Sequence, residues 1–112
     1  MRPEKLYLTD IIEAADAIKR FIFDISYDIF TQDEIRQSAV LQKLMIIGEA
    51  ATHLPDEFRH KYDQIPWVDI IGFRNFAIHE YFSVNWKIVW ITATVDVPNL
   101  KEQIVNILPF FS

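Results

Sequence analysis

Between Leu8 and Ile29 the apolar residues fall at spacings that alternate between three and four: Leu8, Ile11, Ala15, Ile18, Ile22, Ile25 and Ile29. Such spacing keeps one side of an α-helix apolar over many turns, and Asp10, Glu13, Asp16, Lys19 and Arg20 fall off that stripe. Pro3 suits a first helical turn. Phe21, Phe23, Tyr27 and Phe30 widen the stripe, so its far end is expected to pack on two sides. Thr31-Gln-Asp-Glu34 then predicts a new helix start, with Thr31 as the cap and Glu34 at the capping-box position. The second helix carries Ile35, Leu41, Leu44, Met45, Gly48 and Ala51, and its small residues Gly48, Ala50 and Ala51 leave room for a close neighbour. Leu54-Pro55-Asp56 ends it, and residues 55–62 read as a short polar helix or turn.

Pro66 opens a third helix in which Trp67, Ile70, Ile71, Arg74, Ala77, Ile78 and Tyr81 share the helical period. A basic residue therefore occupies a stripe position. A last region starts near Asn85 with Trp86, Val89, Trp90 and Ala93. Pro98 is expected to break or kink it before Leu100, Ile104, Ile107 and Leu108 continue as a closing helix. Residues 91–97 are rich in β-branched side chains, but one strand has no partner here, so the segment is read as helical. The expected fold is all-α: a single domain over residues 1–112, built as a compact antiparallel bundle of four to five helices.

Composition narrows the function. Hydrophobic residues make up 51% and charged residues 24%, which is globular rather than disordered. Arg2, Glu4, Lys5, Asp10 and Glu13 crowd the amino end, against a signal peptide, and no apolar run approaches the ~20 residues of a membrane span. Cysteine is absent, which removes thiol catalysis and thiolate metal sites and fits a reducing, cytoplasmic setting. Two glycines leave no Gly-rich phosphate loop. The net charge of −5 argues against avid, charge-driven binding of nucleic acid but leaves contact at one small site open.

Of the three histidines, His53 and His60 sit in or beside polar loop sequence and read as solvated side chains. No histidine pair has metal-ligand spacing, so neither a metal nor a cofactor is expected. His79 stands in Arg74-Asn75-Phe76-Ala77-Ile78-His79-Glu80-Tyr81. Asn75 and His79, four apart, share a helix face, whereas Arg74 and His79 project about 140° apart. One helix alone would not aim both at a small target unless the arginine curled round or a second copy supplied half the site. Together the three residue types offer what phosphodiester cleavage needs. An imidazole takes a proton from a 2′-hydroxyl or gives one to a leaving oxygen. A guanidinium holds charge developing on phosphate oxygens, and an amide orients either partner. The plain alternative is that Arg74 and His79 simply pair with Glu49, Asp69 or Glu80 between helices.

These residues bring out a resemblance. Arg, a polar residue, three variable residues and His is the hallmark of the small HEPN-domain ribonucleases, and a further variable residue and Tyr mark the HepT-type toxins. Both extensions are present, ending in Glu80 and Tyr81. Residues 65–72 before the motif, Tyr81-Phe82 and Ile88-Val89-Trp90 after it, and Ile46-Ile47-Gly48-Glu49-Ala50 are similar too, so the likeness runs from about Leu8 to Ile104. The resemblance implies a metal-independent endoribonuclease toxin of a prokaryotic toxin–antitoxin pair. It implies an α-helical homodimer with two motifs in one cleft, Arg74 and His79 as catalytic residues and Asn75 in support. It further implies a minimal nucleotidyltransferase antitoxin that transfers AMP from ATP to Tyr81, adding bulk and negative charge beside the motif. The competing expectation is a non-catalytic helical subunit that binds nucleotide or docks with a nucleotidyltransferase. An intact Arg74–His79 pair favours catalysis, because a mere binding module has no need of that imidazole. A third expectation is an unrelated structural dimer with a buried Arg–His network.

Overall fold

The structure, a computed structural model, describes residues 3–111, without the side chains of Phe110 and Phe111; Arg2, counted above among the amino-terminal charges, lies outside them. Helix α1 (Glu4–Phe21) buries Leu8, Ile11, Ala14, Ala15, Ala17 and Ile18, the first half of the expected stripe. The stripe does not continue as one helix. Asp24 takes a left-handed conformation (φ 59°) between the end of α1 and the next helix, a bend made without a glycine. Ser26 then caps a short α2 (Tyr27–Thr31), its hydroxyl oxygen accepting from the Ile29 amide at 3.2 Å. The new direction buries Phe30 and leaves Ile29 half exposed.

The expected Thr31 cap is also displaced. Thr31 closes α2, with its hydroxyl donating to the Asp28 carbonyl at 2.7 Å. Asp33 caps α3 (Glu34–Thr52) instead and accepts from the Arg36 amide at 3.0 Å. That backbone donor, with the Arg36 side chain, holds the Asp33 carboxyl below its usual value. Ile35 falls on the outer face and is exposed. Buried Gln37 staples the α2–α3 corner by donating to the Phe30 and Thr31 carbonyls.

Residues after Thr52 form the short α4 (Asp56–Lys61), and Pro66 precedes α5 (Trp67–His79). Trp67 anchors the start of α5 by donating its indole N–H to the Tyr62 carbonyl at 3.0 Å. A single 3-10 turn (Tyr81–Ser83) follows α5, and Asn85 caps α6 (Trp86–Ile91). The β-branched segment is helical, as expected, but it is a π-turn (Thr92–Asp96) leading directly into α7 (Val97–Ile107). Pro98 sits in the first turn of α7, where its missing N–H does least harm. Pro98 does not break the path. The wider π-turn absorbs the helix irregularity ahead of the proline. Thr94 contributes by donating its hydroxyl to the Trp90 carbonyl at 2.8 Å.

Helix α3 is the central element, with α1 on one side and α5 on another, while α7 closes over α1. Trp86 and Trp90 of α6 pack on Phe30 of α2. No strand occurs among the described residues, so the all-α expectation holds. Likewise, no helix among them is long and apolar enough to cross a membrane.

Candidate active site

The motif occupies the second half of α5, whose placement depends on α3. Gly48 lies where the two helices cross. A Cβ built there would stand 2.2 Å from Arg74 Cβ and 2.8 Å from Arg74 Cγ. The missing side chain at Gly48 is therefore the space through which the Arg74 stem passes. At the next residue of α3, Arg74 Nη2 donates to Glu49 Oε2, a charge-assisted bond between helices. Arg74 Nη1 donates to Asn75 Oδ1 at 2.8 Å. Arg74 Nε is buried and has no hydrogen-bond partner among the described residues.

Glu49 uses its other oxygen as well. Oε1 lies 3.1 Å from His53 Nε2, one turn further along α3, and the His53 ring stacks on Tyr7 of α1 with centroids 5.2 Å apart. The hydrogen bond with His53 is the largest influence on the Glu49 carboxyl; burial opposes it, and the charge of Arg74 adds to it, so that the carboxyl is held below its usual value of 4.5. The pair is thus intact above that value and is lost as pH falls through the lowered one. The side chains are 49% exposed for Glu49 and 26% for Arg74, so solvent screens the bond and its worth to stability is about 0–1 kcal/mol.

His79 is the last residue of α5 and is exposed. Its side chain makes no hydrogen bond or ion pair among the described residues, which leaves both ring nitrogens open to a ligand. Arg74 turns to Glu49 of α3, while His79 is exposed at the end of α5. Asn75 is exposed but bonded to Arg74, so these two form one unit. Tyr81 is half exposed in the turn after α5, edge-on to the fully exposed ring of Phe82. Ile78 and Tyr81, expected on the inward stripe, are also exposed, because α3 covers only one side of α5.

The plain alternative is realised for one residue of the two: Arg74 does pair with Glu49, and His79 pairs with nothing described. His53, expected to be simply solvated, is instead tied to Glu49 and Tyr7. Its spacing of four from Glu49 on one helix was the signal that could have revealed the pair. Among the described residues no group of acidic residues and histidines is placed to hold a metal ion. A cleft of about 750 Å3 between α3, α5 and α7 has an apolar floor including Ile70, Phe73 and Leu100, and Asp69, Asp96 and Glu102 among its polar lining. It takes in none of Arg74, Asn75 or His79, and its carboxylates would repel a phosphate.

Comparison with known proteins finds a family and several relatives. The profile of the family described as Ribonuclease HepT-like matches residues 11–107. A Caldanaerobacter subterraneus subsp. tengcongensis protein named "Putative RNase TTE0752" is 38% identical over 108 residues, covering 96% of each chain. A Methanocaldococcus jannaschii protein named "Putative RNase MJ1380" is 36% identical over 103 residues, 92% of this chain and 94% of its own. A Thermococcus cleftensis protein named "Probable ribonuclease HepT" is 39% identical over 102 residues, 91% of this chain and 93% of its own. No solved structure matches.

Proposed function

The chain belongs to the HepT-like ribonuclease family, and from that premise we propose that it is a metal-independent endoribonuclease toxin acting through Arg74, Asn75 and His79. The observation that carries the reading is the contrast within one motif. Arg74 and Asn75 form a fixed cationic unit, while His79 stands exposed and unbonded at the helix end. In the proposed reaction a neutral His79 takes the proton of a ribose 2′-hydroxyl as its oxygen attacks the adjacent phosphorus. The bond to the 5′-oxygen breaks, and that oxygen leaves with a proton from a protonated imidazole. The products are a 2′,3′-cyclic phosphate and a 5′-hydroxyl. Arg74 offers its remaining N–H donors to the charge on the phosphate oxygens.

One copy supplies one imidazole, and its Arg74 and His79 diverge. A homodimer supplies two of each, so one His79 serves as base and the other as acid. Support for self-association comes from α5, which is apolar almost all round yet buries only Trp67 and Ala77. Val68, Phe76 and Ile78 are exposed on it, and Phe82 follows. A helix of that kind is normally covered on more than one side.

Tyr81 is the proposed control point, through AMP transferred from ATP by a nucleotidyltransferase antitoxin. The supporting observation is its half-exposed position in the turn after α5, two residues beyond His79 in the chain. Tyr81→Phe keeps the ring and removes the accepting oxygen. It should retain ribonuclease activity and escape neutralisation; mass spectrometry showing an unmodified Tyr81 in a fully neutralised complex would contradict this role. The function itself is tested by incubating purified protein with RNA in the presence of EDTA. His79→Ala should lose about 10²–10⁴-fold in rate. Arg74→Ala should lose about 10²–10³-fold, and Asn75→Ala less. A dimeric, folded and inactive wild type would leave the role of an interaction subunit.

A further inference from the structure

We infer that Glu49 is a positioning residue of the ribonuclease site: it holds the Arg74 guanidinium in place before RNA arrives. This inference rests on the function proposed above. Three observations on Arg74 converge. Its stem is threaded against α3 at Gly48, where no side chain larger than hydrogen fits. Its Nε is buried without a hydrogen-bond partner among the described residues, a cost that a free, solvated arginine avoids. Its two η nitrogens are each bonded, one to Glu49 and the other to Asn75. An arginine left to itself would swing out to water. Glu49 is what keeps it folded back, and Glu49 is in turn held from behind by His53, whose ring is stacked on Tyr7.

The arithmetic of donors leaves the guanidinium usable. A guanidinium carries five N–H groups, and Glu49 and Asn75 each take one from a different η nitrogen. One N–H on each η nitrogen is left for phosphate oxygens. A cation so preorganised meets developing charge without first losing side-chain freedom. Glu49 touches neither RNA nor the reacting atoms in this arrangement and acts only through Arg74. Stability does not account for the pair, since both side chains are partly solvated.

The test compares wild type, Glu49→Ala, Glu49→Gln, Arg74→Ala and the double variant Glu49→Ala/Arg74→Ala. Readouts are kcat and KM on a single-stranded RNA, Tm, and the nitrogen-15 η signals of Arg74 in the free protein. Misplacing a catalytic group by about 1 Å costs up to about 10²-fold, so Glu49→Ala should lower kcat about 10–10²-fold with KM and Tm close to wild type. Glu49→Gln, which keeps an oxygen for Arg74, should recover most of the loss. In the Arg74→Ala background Glu49→Ala should add nothing. The Arg74 η signals should be distinct in wild type and averaged by rotation in Glu49→Ala. Undiminished kcat in Glu49→Ala, an equal loss in both backgrounds, or a loss that merely follows Tm would overturn the inference. If wild type cleaves no RNA, the ribonuclease reading fails by itself. The Arg74 signals then decide alone, and identical signals in wild type and Glu49→Ala overturn the positioning role.

Discussion

Gly48 and Gly72 are both helix-interior glycines, and their surroundings set opposite expectations. A methyl group at Gly48 would meet Arg74 Cβ at 2.2 Å and the Ile70 carbonyl oxygen at 3.2 Å, so α3 and α5 would have to move apart. Gly48→Ala should therefore destabilise by about 1–3 kcal/mol, despite alanine's better helix propensity. At Gly72 nothing lies within 4 Å of the built Cβ. Gly72→Ala should stabilise by up to about 1 kcal/mol. Urea denaturation of both variants checks the pair, and a stabilising Gly48→Ala would show that the α3–α5 crossing is looser than described. Arg74, Asn75 and His79 stand out as candidates in the sequence because they lie within six consecutive positions, but spacing leaves a plain ion-pair reading open, and it is the resemblance that assigns them to catalysis. Glu49 was legible only as one of three conceivable partners. The crossing at Gly48 that selects it over Asp69 and Glu80 is a tertiary fact.

At the scale of elements, α5 and the start of α6 follow the sequence pattern closely, since proline and asparagine mark their first turns. Asn85 accepts from the Lys87 amide at 2.9 Å and the Ile88 amide at 3.2 Å. Asn85→Ala should lower stability by about 1 kcal/mol, measured as a shift in Tm, with α6 exchanging its amide protons faster. An unchanged Tm would mean that the packing of Trp86 and Trp90 on Phe30 fixes α6 without its cap. The corner at residues 22–26 was not legible. Its left-handed residue is Asp24, not glycine, and the three-four spacing of isoleucines runs straight through it. Thr31 and Asp33 are both residue types that accept from a backbone amide, and only the α2–α3 corner, stapled by Gln37, selects Asp33 as the cap. The π-turn has no pattern of its own, since a five-residue excursion between two helical stripes leaves their periods almost unchanged.

At the scale of the molecule, a chain with a net charge of −5 must bind RNA at a local site rather than by a basic surface. In the proposed homodimer, pairing two copies would double Arg74 within one cleft and cover exposed apolar side chains of α5. Sedimentation at micromolar concentration should give a dimer of the 13.2 kDa chain. Phe82→Asp should yield a monomer with unchanged helix content and greatly reduced cleavage. A monomeric wild type with full activity would contradict the shared site.

The most direct measurement of the central claim is analysis of the RNA ends made by purified protein in EDTA, with His79→Ala run beside it. Wild type should leave 2′,3′-cyclic phosphate and 5′-hydroxyl ends, and the variant almost none. Cleavage that stops in EDTA and returns with magnesium, or that persists in His79→Ala, would contradict it.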